Sequence, residues 1–199
     1  MRRAIPGLLA AVLLGGCGGV WTPEQQLTKK ALVNAHVARG AAAYQVDRCG
    51  EVLRAAATAP DPARQSGENL SAYYASSEGK LVIGLLNGVL KPAPADPSFA
   101  RAKDIDELTS ATEALAALAL RPEGTWDGCT RKVDGARSRL GRAITALETG
   151  TKSYVLIDVR QEANIKTAEF TASIGKARAN DEKVGAPEAS APPAPAPTP

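Results

Sequence analysis

Histidine and methionine are nearly absent from this 199-residue sequence, which contains one residue of each. The methionine is the initiator Met1 and the histidine is His36, so a mature chain cannot hold haem with a His/Met pair. Zinc sites need several His and Cys ligands at close spacing, and C-x-x-C and C-x-x-C-H motifs are both missing. We therefore expect no metal and no cofactor.

Common catalytic motifs are missing as well. A serine-based triad requires a histidine positioned by an acid, and the chain has no G-x-S-x-G segment and no phosphate-binding loop. A structural role is the simpler interpretation of His36, which follows Ala35 on a predicted helix. The acidic residues Asp104, Asp106 and Glu107 begin another predicted helix, where they complement its dipole. We expect a protein that is not an enzyme, with carboxylate-based catalysis as a minor alternative.

Aromatic residues make up only 4% of the chain, whereas alanine is abundant. The core must therefore be built from Leu, Val, Ile and Ala, and alanine favours helix strongly. A β-rich domain would need more aromatic and β-branched residues in short alternating runs. Charge is nearly balanced, with 24 basic and 21 acidic residues, which argues against nucleic acid as a partner.

Long apolar runs are absent, and the longest lies near the N-terminus, at residues 4–14. It is too short for the ~20 residues that span a bilayer. Arg2 and Arg3 precede it, and the small pair Gly15-Gly16 leads into Cys17. A basic start, a short apolar stretch and small residues before a cut site are typical of an export signal.

The segment that ends at Cys17 resembles the lipobox of bacterial lipoprotein precursors. The resemblance covers about the first twenty residues. It implies that residues 1–16 are a cleaved signal peptide and that Cys17 is acylated, with palmitate or similar chains, in an anchor segment of residues 17–22. Two or more acyl chains give stable anchoring. In lipoproteins of enteric bacteria, an Asp directly after the cysteine resembles an inner-membrane retention signal. Gly18 occupies that position here, so the resemblance favours the outer membrane facing the periplasm over the inner membrane.

Two cysteines remain once Cys17 carries lipid, namely Cys49 and Cys129. An even remainder in an exported protein suggests a disulfide bond, and both residues lie on the apolar faces of their predicted helices. We expect a Cys49–Cys129 disulfide. The alternative is two separate buried thiols.

Capping signals divide the rest of the chain into about four helices. Thr22-Pro23, Asp61-Pro62 and Asp96-Pro97 each place a capping side chain before a proline at the first helical position. The predicted helices run over about 23–58, 62–90, 97–121 and 125–183. A break near Ser77–Gly79 is plausible, and continuity across Gly150 is the main open point. The predicted fold is an all-α antiparallel bundle over residues 23–183.

The C-terminal residues 184–199 are rich in Pro and Ala and lack apolar bulk. They are expected to form a disordered, extended tail, because they cannot bury enough surface to fold.

One cluster of basic residues stands out as a candidate interaction patch. It lies at the start of the last predicted helix and comprises Arg131, Lys132, Arg137, Arg139 and Arg142. Such a patch could meet anionic lipid, a cell-wall polymer or an acidic protein, although most charge runs are only solvated helix faces.

The sequence thus favours a membrane-anchored envelope lipoprotein that acts as a non-enzymatic structural or protein-interaction module. Its partner would be a protein or the cell wall. The alternatives are a carrier of a small apolar ligand between the helices and a tethered periplasmic inhibitor or immunity-type protein.

Overall fold

A computed structural model describes residues 21–88, 94–120 and 131–185, and this part of the chain consists of α-helices without strands. The helices are α1 (Pro23–Ala56), α2 (Pro62–Ala75), α3 (Ser77–Gly88), α4 (Ala102–Leu120), α5 (Arg131–Thr149) and α6 (Ser153–Gly185). The all-α prediction is confirmed. The described part holds six helices rather than about four, because two of the predicted helices are each interrupted once.

The predicted caps of α1 and α2 are confirmed. The Thr22 hydroxyl accepts a hydrogen bond of 3.2 Å from the Gln25 amide, and the Gln25 side chain accepts one of 3.0 Å from the Thr22 amide. Asp61 accepts a hydrogen bond of 3.1 Å from the Arg64 amide. In both helices the capping side chain satisfies a backbone N–H that has no partner within the helix.

The third predicted cap, at Asp96, is wrong. The Asp96 carboxylate accepts a hydrogen bond from the amide of Ser98 at 2.9 Å, only two residues along the chain, which makes a local turn. The following residues continue as turns, and α4 begins at Ala102. The Arg101 amide just before α4 is instead satisfied by the Glu24 carboxylate at 2.8 Å.

The second predicted helix breaks at Ser76, next to the predicted position. Ser76 is extended, with φ −67° and ψ 165°, and its hydroxyl accepts a hydrogen bond of 3.0 Å from the Gly79 amide. Gly79 is required here, because a Cβ atom would overlap the Tyr73 carbonyl oxygen. The break therefore depends on a serine that caps α3 and a glycine that lets α3 start against the end of α2.

The fourth predicted helix is also interrupted, between Thr149 and Ser153, so it is not continuous to residue 183. The Thr151 hydroxyl donates to the Leu147 carbonyl at 2.7 Å, and Arg101 donates to the Ala146 carbonyl at 2.7 Å. These donors satisfy carbonyl groups that the end of a helix leaves without partners.

Helices α1 and α6 run side by side in the same direction. Gln25 contacts Tyr154 near their N-terminal ends, Lys29 contacts Asp158 one turn later, and Tyr44 contacts Phe170 further along. Both helices are about 50 Å long at 1.5 Å per residue. They therefore begin near one end of the body and finish near the other.

The intervening helices run up and down between these two. Tyr73 of α2 contacts Gln45, and Leu70 packs with Cys49, so α2 is antiparallel to α1. Arg139 contacts Glu107, and Arg101, just before α4, contacts Ala146 near the end of α5. These contacts show that α5 is antiparallel to α4.

The core lies between these helices and is aliphatic, as the composition predicts. Its largest fully buried side chains are Leu32, Leu86, Ile105, Leu108, Leu115, Leu140 and Leu147, with several valines. Alanines such as Ala35, Ala38 and Ala42 fill the α1 face between the larger residues, which allows close helix approach. Among the described helices, none combines the length and the apolar character that a membrane span requires.

Candidate functional site

The described side chains of the predicted basic patch have different surroundings. Arg139 makes a two-bond ion pair with Glu107 of α4, at 3.0 and 3.1 Å. Its guanidinium lowers the pKa of the Glu107 carboxyl, chiefly through that hydrogen bond. Arg142 is exposed, and the side chains of Arg131 and Lys132 lie outside the described residues. Arg139 therefore belongs to the α4–α5 contact and is already neutralised.

Arg137 instead joins two arginines that are remote in sequence. It lines a hollow of about 410 Å³ between α1, α5 and α6, together with Arg39 of α1 and Arg160 of α6. The other lining residues are His36, Gly40, Ala43, Ala163, Asn164 and Thr167. We call this hollow the arginine groove. None of its nine lining residues is acidic.

Two parallel helices build the walls of the arginine groove with the same spacing. Residues 36, 39, 40 and 43 line it from α1, and residues 160, 163, 164 and 167 line it from α6. Positions i, i+3, i+4 and i+7 lie on one helix face, so each helix contributes a single stripe. Sequence reasoning missed the groove because only the parallel pairing of α1 with α6 brings Arg39 near Arg160.

His36 lies at the edge of the arginine groove and is half-buried. Its Nε2 atom lies 3.3 Å from a carboxylate oxygen of Glu148 on α5. This pair ties α5 to α1 and supports the structural interpretation of the histidine. Within the described ranges, no group of three or more His, Cys, Asp or Glu residues could hold a metal ion.

A second polar cluster surrounds Glu78, whose side chain is buried at the start of α3. Its carboxylate accepts hydrogen bonds from Tyr44 at 2.6 Å, from Arg48 at 2.6 Å and from Arg178 at 3.2 Å. Asp181 of α6 accepts hydrogen bonds from the first two amides of α3, at 3.0 and 3.1 Å. We call these five residues the Glu78 network. It fastens α1, α3 and α6 together at the end of the body that is far from residue 23.

Burial shapes the chemistry of the tyrosines around this network. Desolvation, followed by the hydrogen bond to Glu78, raises the pKa of Tyr44 to about 12. Burial also raises the pKa of Tyr73 and of Tyr74 above the usual value for tyrosine. Arg48 and Arg178 lie over the rings of Tyr73 and Tyr44, at 5.7 and 5.6 Å from the ring centres. These phenols stay protonated at neutral pH, and Tyr44 and Tyr73 donate hydrogen bonds to Glu78 and Gln45 rather than acting as bases.

The acidic residues at the start of α4 have structural partners. Asp104 pairs with Arg101 at 2.6 Å, and Asp106 accepts a hydrogen bond of 3.0 Å from the Ala95 amide. With the Glu107–Arg139 pair, all three carboxylates bind neighbouring parts of the chain. This is consistent with their interpretation as residues that stabilise a helix start.

A second hollow, of about 550 Å³, lies between α1, α3 and α6. Its apolar lining comes mainly from Val37, Leu81, Leu85 and Phe170, with Lys80 and Lys166 among the polar residues around it. We call it the apolar groove.

Cys49 is buried in a small cluster with Leu70 and is disulfide-bonded. Its partner lies outside the described residues, as do both remaining cysteines, Cys17 and Cys129. The Cys49–Cys129 pairing and the acylation of Cys17 therefore stay predictions.

Comparison of the chain with protein-family models, with curated proteins and with solved structures found no match.

Proposed function

We propose that this chain is a lipid-anchored envelope protein whose helical body acts as a non-enzymatic interaction module. In this proposal Cys17 anchors the chain to the outer membrane, facing the periplasm. The predicted Pro/Ala-rich tail comes after α6 and lies outside the described residues. The observation that carries the proposal is the parallel course of α1 and α6. Because these helices are the first and the last of the body, the anchor and the tail leave it at opposite ends.

The end of the body next to the anchor has a surface suited to a membrane interface. Trp21, four residues after Cys17, packs edge-on against Tyr154, with the two ring centres 6.1 Å apart. Tyr154 is 52% exposed and Ile157 is 65% exposed, and Lys29 lies 5.3 Å from the centre of the Trp21 ring. Aromatic rings with a nearby cation are favoured at the level of lipid headgroups. We infer that this end rests on the membrane.

The other end carries the chain away from the membrane. An upright α1 places the end of α6 about 50 Å from Pro23. The tail from residue 186 onward would add at most ~43 Å in a polyproline conformation. This reach suits contact with a protein or a cell-wall polymer beyond the membrane surface.

The anchor is tested by fractionating envelopes that contain the native chain or the Cys17→Ser variant. We expect the native protein in the membrane fraction with an acylated N-terminus by intact mass, and the variant in the soluble fraction. A variant that still partitions with membranes would contradict the anchor.

The orientation is tested with a photoreactive amino acid placed either at position 154 or at position 182 of the anchored protein. Position 154 should crosslink to lipid. Position 182, which is also exposed but lies near the end of α6, should not. Equal lipid crosslinking at both positions would rule out an upright body.

The apolar groove supports one alternative function, that of a carrier for a small apolar ligand. Its volume falls within the range of ligand sites, and four of its nine lining residues, Val37, Leu81, Leu85 and Phe170, are aliphatic or aromatic. Organic extraction of the protein from native envelopes, followed by mass spectrometry, tests this alternative. A stoichiometric apolar molecule that is lost in a Leu85→Lys variant would favour the carrier over the interaction module.

A further inference from the structure

The arginine groove gathers three cations from three helices around one hollow. We propose that it binds the phosphate group of a small phosphorylated molecule. This inference rests on the proposed function, which places the groove in the cell envelope. It deepens that function because it gives the interaction module a ligand of defined chemistry.

The charges in the groove are incompletely balanced by the protein. Arg39 and Arg160 make no ion pair with another residue of the described ranges. Arg137 has a single contact of 3.4 Å, with the exposed Asp134 of its own helix. By contrast, Arg139, the next arginine along α5, donates two hydrogen bonds to the Glu107 carboxylate. The groove thus keeps like charges together with little internal compensation, which an incoming anion relieves.

The arrangement of donors favours phosphate over a carboxylate. Arginine presents a planar set of N–H donors that suits oxyanions. A carboxylate offers two oxygens in one plane, whereas a phosphate offers oxygens in several directions and a second negative charge. Arg39, Arg137 and Arg160 line the hollow from three different helices. A tetrahedral dianion matches that geometry better than a planar monoanion.

The groove has room for more than the phosphate itself. Its volume of about 410 Å³ lies within the range of small-molecule sites. Gly40 and Ala43 of α1 and Ala163 of α6 are small lining residues, and a Cβ atom added at Gly40 would meet no other atom within 4 Å. Asn164 and Thr167 add neutral hydrogen-bonding groups. This combination suits a phosphorylated molecule with a polar body.

The position of the groove bears on where the ligand comes from. His36 to Ala43 lie 13 to 20 residues beyond Pro23, which is about 20–30 Å along α1. If the body stands upright, the headgroups of the membrane that holds Cys17 are too distant to enter. A soluble phosphorylated molecule is therefore the expected source, rather than a phospholipid.

Calorimetric titration of the purified full-length mature protein, in a non-ionic detergent at fixed ionic strength, tests the proposal. Inorganic pyrophosphate is the first ligand. We expect saturable binding at one site, with Kd raised about tenfold in each of Arg39→Gln, Arg137→Gln and Arg160→Gln, since each removes one charge-assisted contact. Arg142→Gln, an exposed arginine of α5 outside the groove, should leave Kd within about twofold.

A pair of glycine variants tests occupancy of the same space. Gly40→Leu should abolish binding by filling the groove, and Gly175→Leu makes the same change on α6 at a site with open space outside the groove. Equal unfolding midpoints for Gly40→Leu and Gly175→Leu would show that lost binding does not reflect lost folding.

Two further ligands decide the chemistry and its source. Tighter binding of citrate than of pyrophosphate would overturn the phosphate assignment, and so would an equal loss in Arg142→Gln and Arg39→Gln. Tighter binding of soluble short-chain phosphatidylglycerol, lost in Arg39→Gln, would support the phosphate chemistry and assign it to a lipid headgroup. Repeating the titration with the Cys17→Ser protein separates the two proposals, since failure of the anchor would leave phosphate binding intact.

Discussion

The hydroxyl of Tyr44 on α1 donates a hydrogen bond of 2.6 Å to the carboxylate of Glu78, which is only 3% exposed at the start of α3. Two arginines, Arg48 and Arg178, donate to the same carboxylate from α1 and α6. A buried charge is stable only when it is paired and hydrogen-bonded. Glu78 therefore joins three helices through one side chain.

We expect Glu78→Gln to lower the free energy of unfolding by about 2–3 kcal/mol, because it leaves two arginines without their shared anion. Urea denaturation followed by circular dichroism measures the change. Glu68→Gln is the matched control, since Glu68 is exposed and, among the described residues, pairs with Arg64 one turn away; its effect should stay within about 0.5 kcal/mol. Equal effects of the two variants would contradict a bracing role for Glu78.

The raised pKa of Tyr44 predicts a loss of stability at high pH. Its folded-state pKa is about 12, against the ordinary tyrosine value of 10.0, so folding favours the protonated phenol. This contribution is fully present below pH 10 and disappears as the pH rises through the folded pKa. Urea midpoints should fall between about pH 10 and pH 12, and the fall should be smaller in Tyr44→Phe. An identical pH profile for both proteins would show that this phenol does not titrate as described.

Two helix glycines should respond to alanine in opposite ways. At Gly40 a Cβ atom meets open space, so Gly40→Ala should stabilise the protein by about 0.5–1 kcal/mol through its higher helix propensity. At Gly79 the Cβ atom would overlap the Tyr73 carbonyl group, so Gly79→Ala should destabilise it by about 1–3 kcal/mol. Thermal unfolding of the two variants checks both signs. A stabilised Gly79→Ala would mean that the α2–α3 junction is looser than the structure places it.

We expect the disulfide partner of Cys49 to be Cys129. Proteolysis under non-reducing conditions, followed by mass spectrometry, should yield a linked peptide pair that contains positions 49 and 129, with Cys17 acylated. Reduction should lower the unfolding temperature, because the bond limits the conformations of the unfolded chain. A linked pair of positions 17 and 49 would contradict both the predicted bridge and the predicted anchor.

Local signals in the sequence were enough to predict several elements. Thr22 and Asp61 cap their helices as expected, because a capping bond involves residues only three apart. Ser76 and Gly79 similarly limit α2 and α3 through neighbouring atoms. Asp96 shows where such a signal fails, since its carboxylate accepts a hydrogen bond from the nearer amide of Ser98. Helix α4 begins after Arg101, whose amide donates to Glu24. That second contact joins residues 77 positions apart.

The sequence by itself determined that the described body is helical, with an aliphatic core, because composition, periodicity and capping act over a few residues. Only the tertiary structure decided which charges meet. It paired Arg139 with Glu107, gathered Arg48 and Arg178 around Glu78, and set Arg39 and Arg160 beside Arg137 in one groove. The physical reason is that the partner of a charged side chain depends on how helices pack and in which direction they run, and the parallel course of α1 and α6 is not encoded in either helix alone.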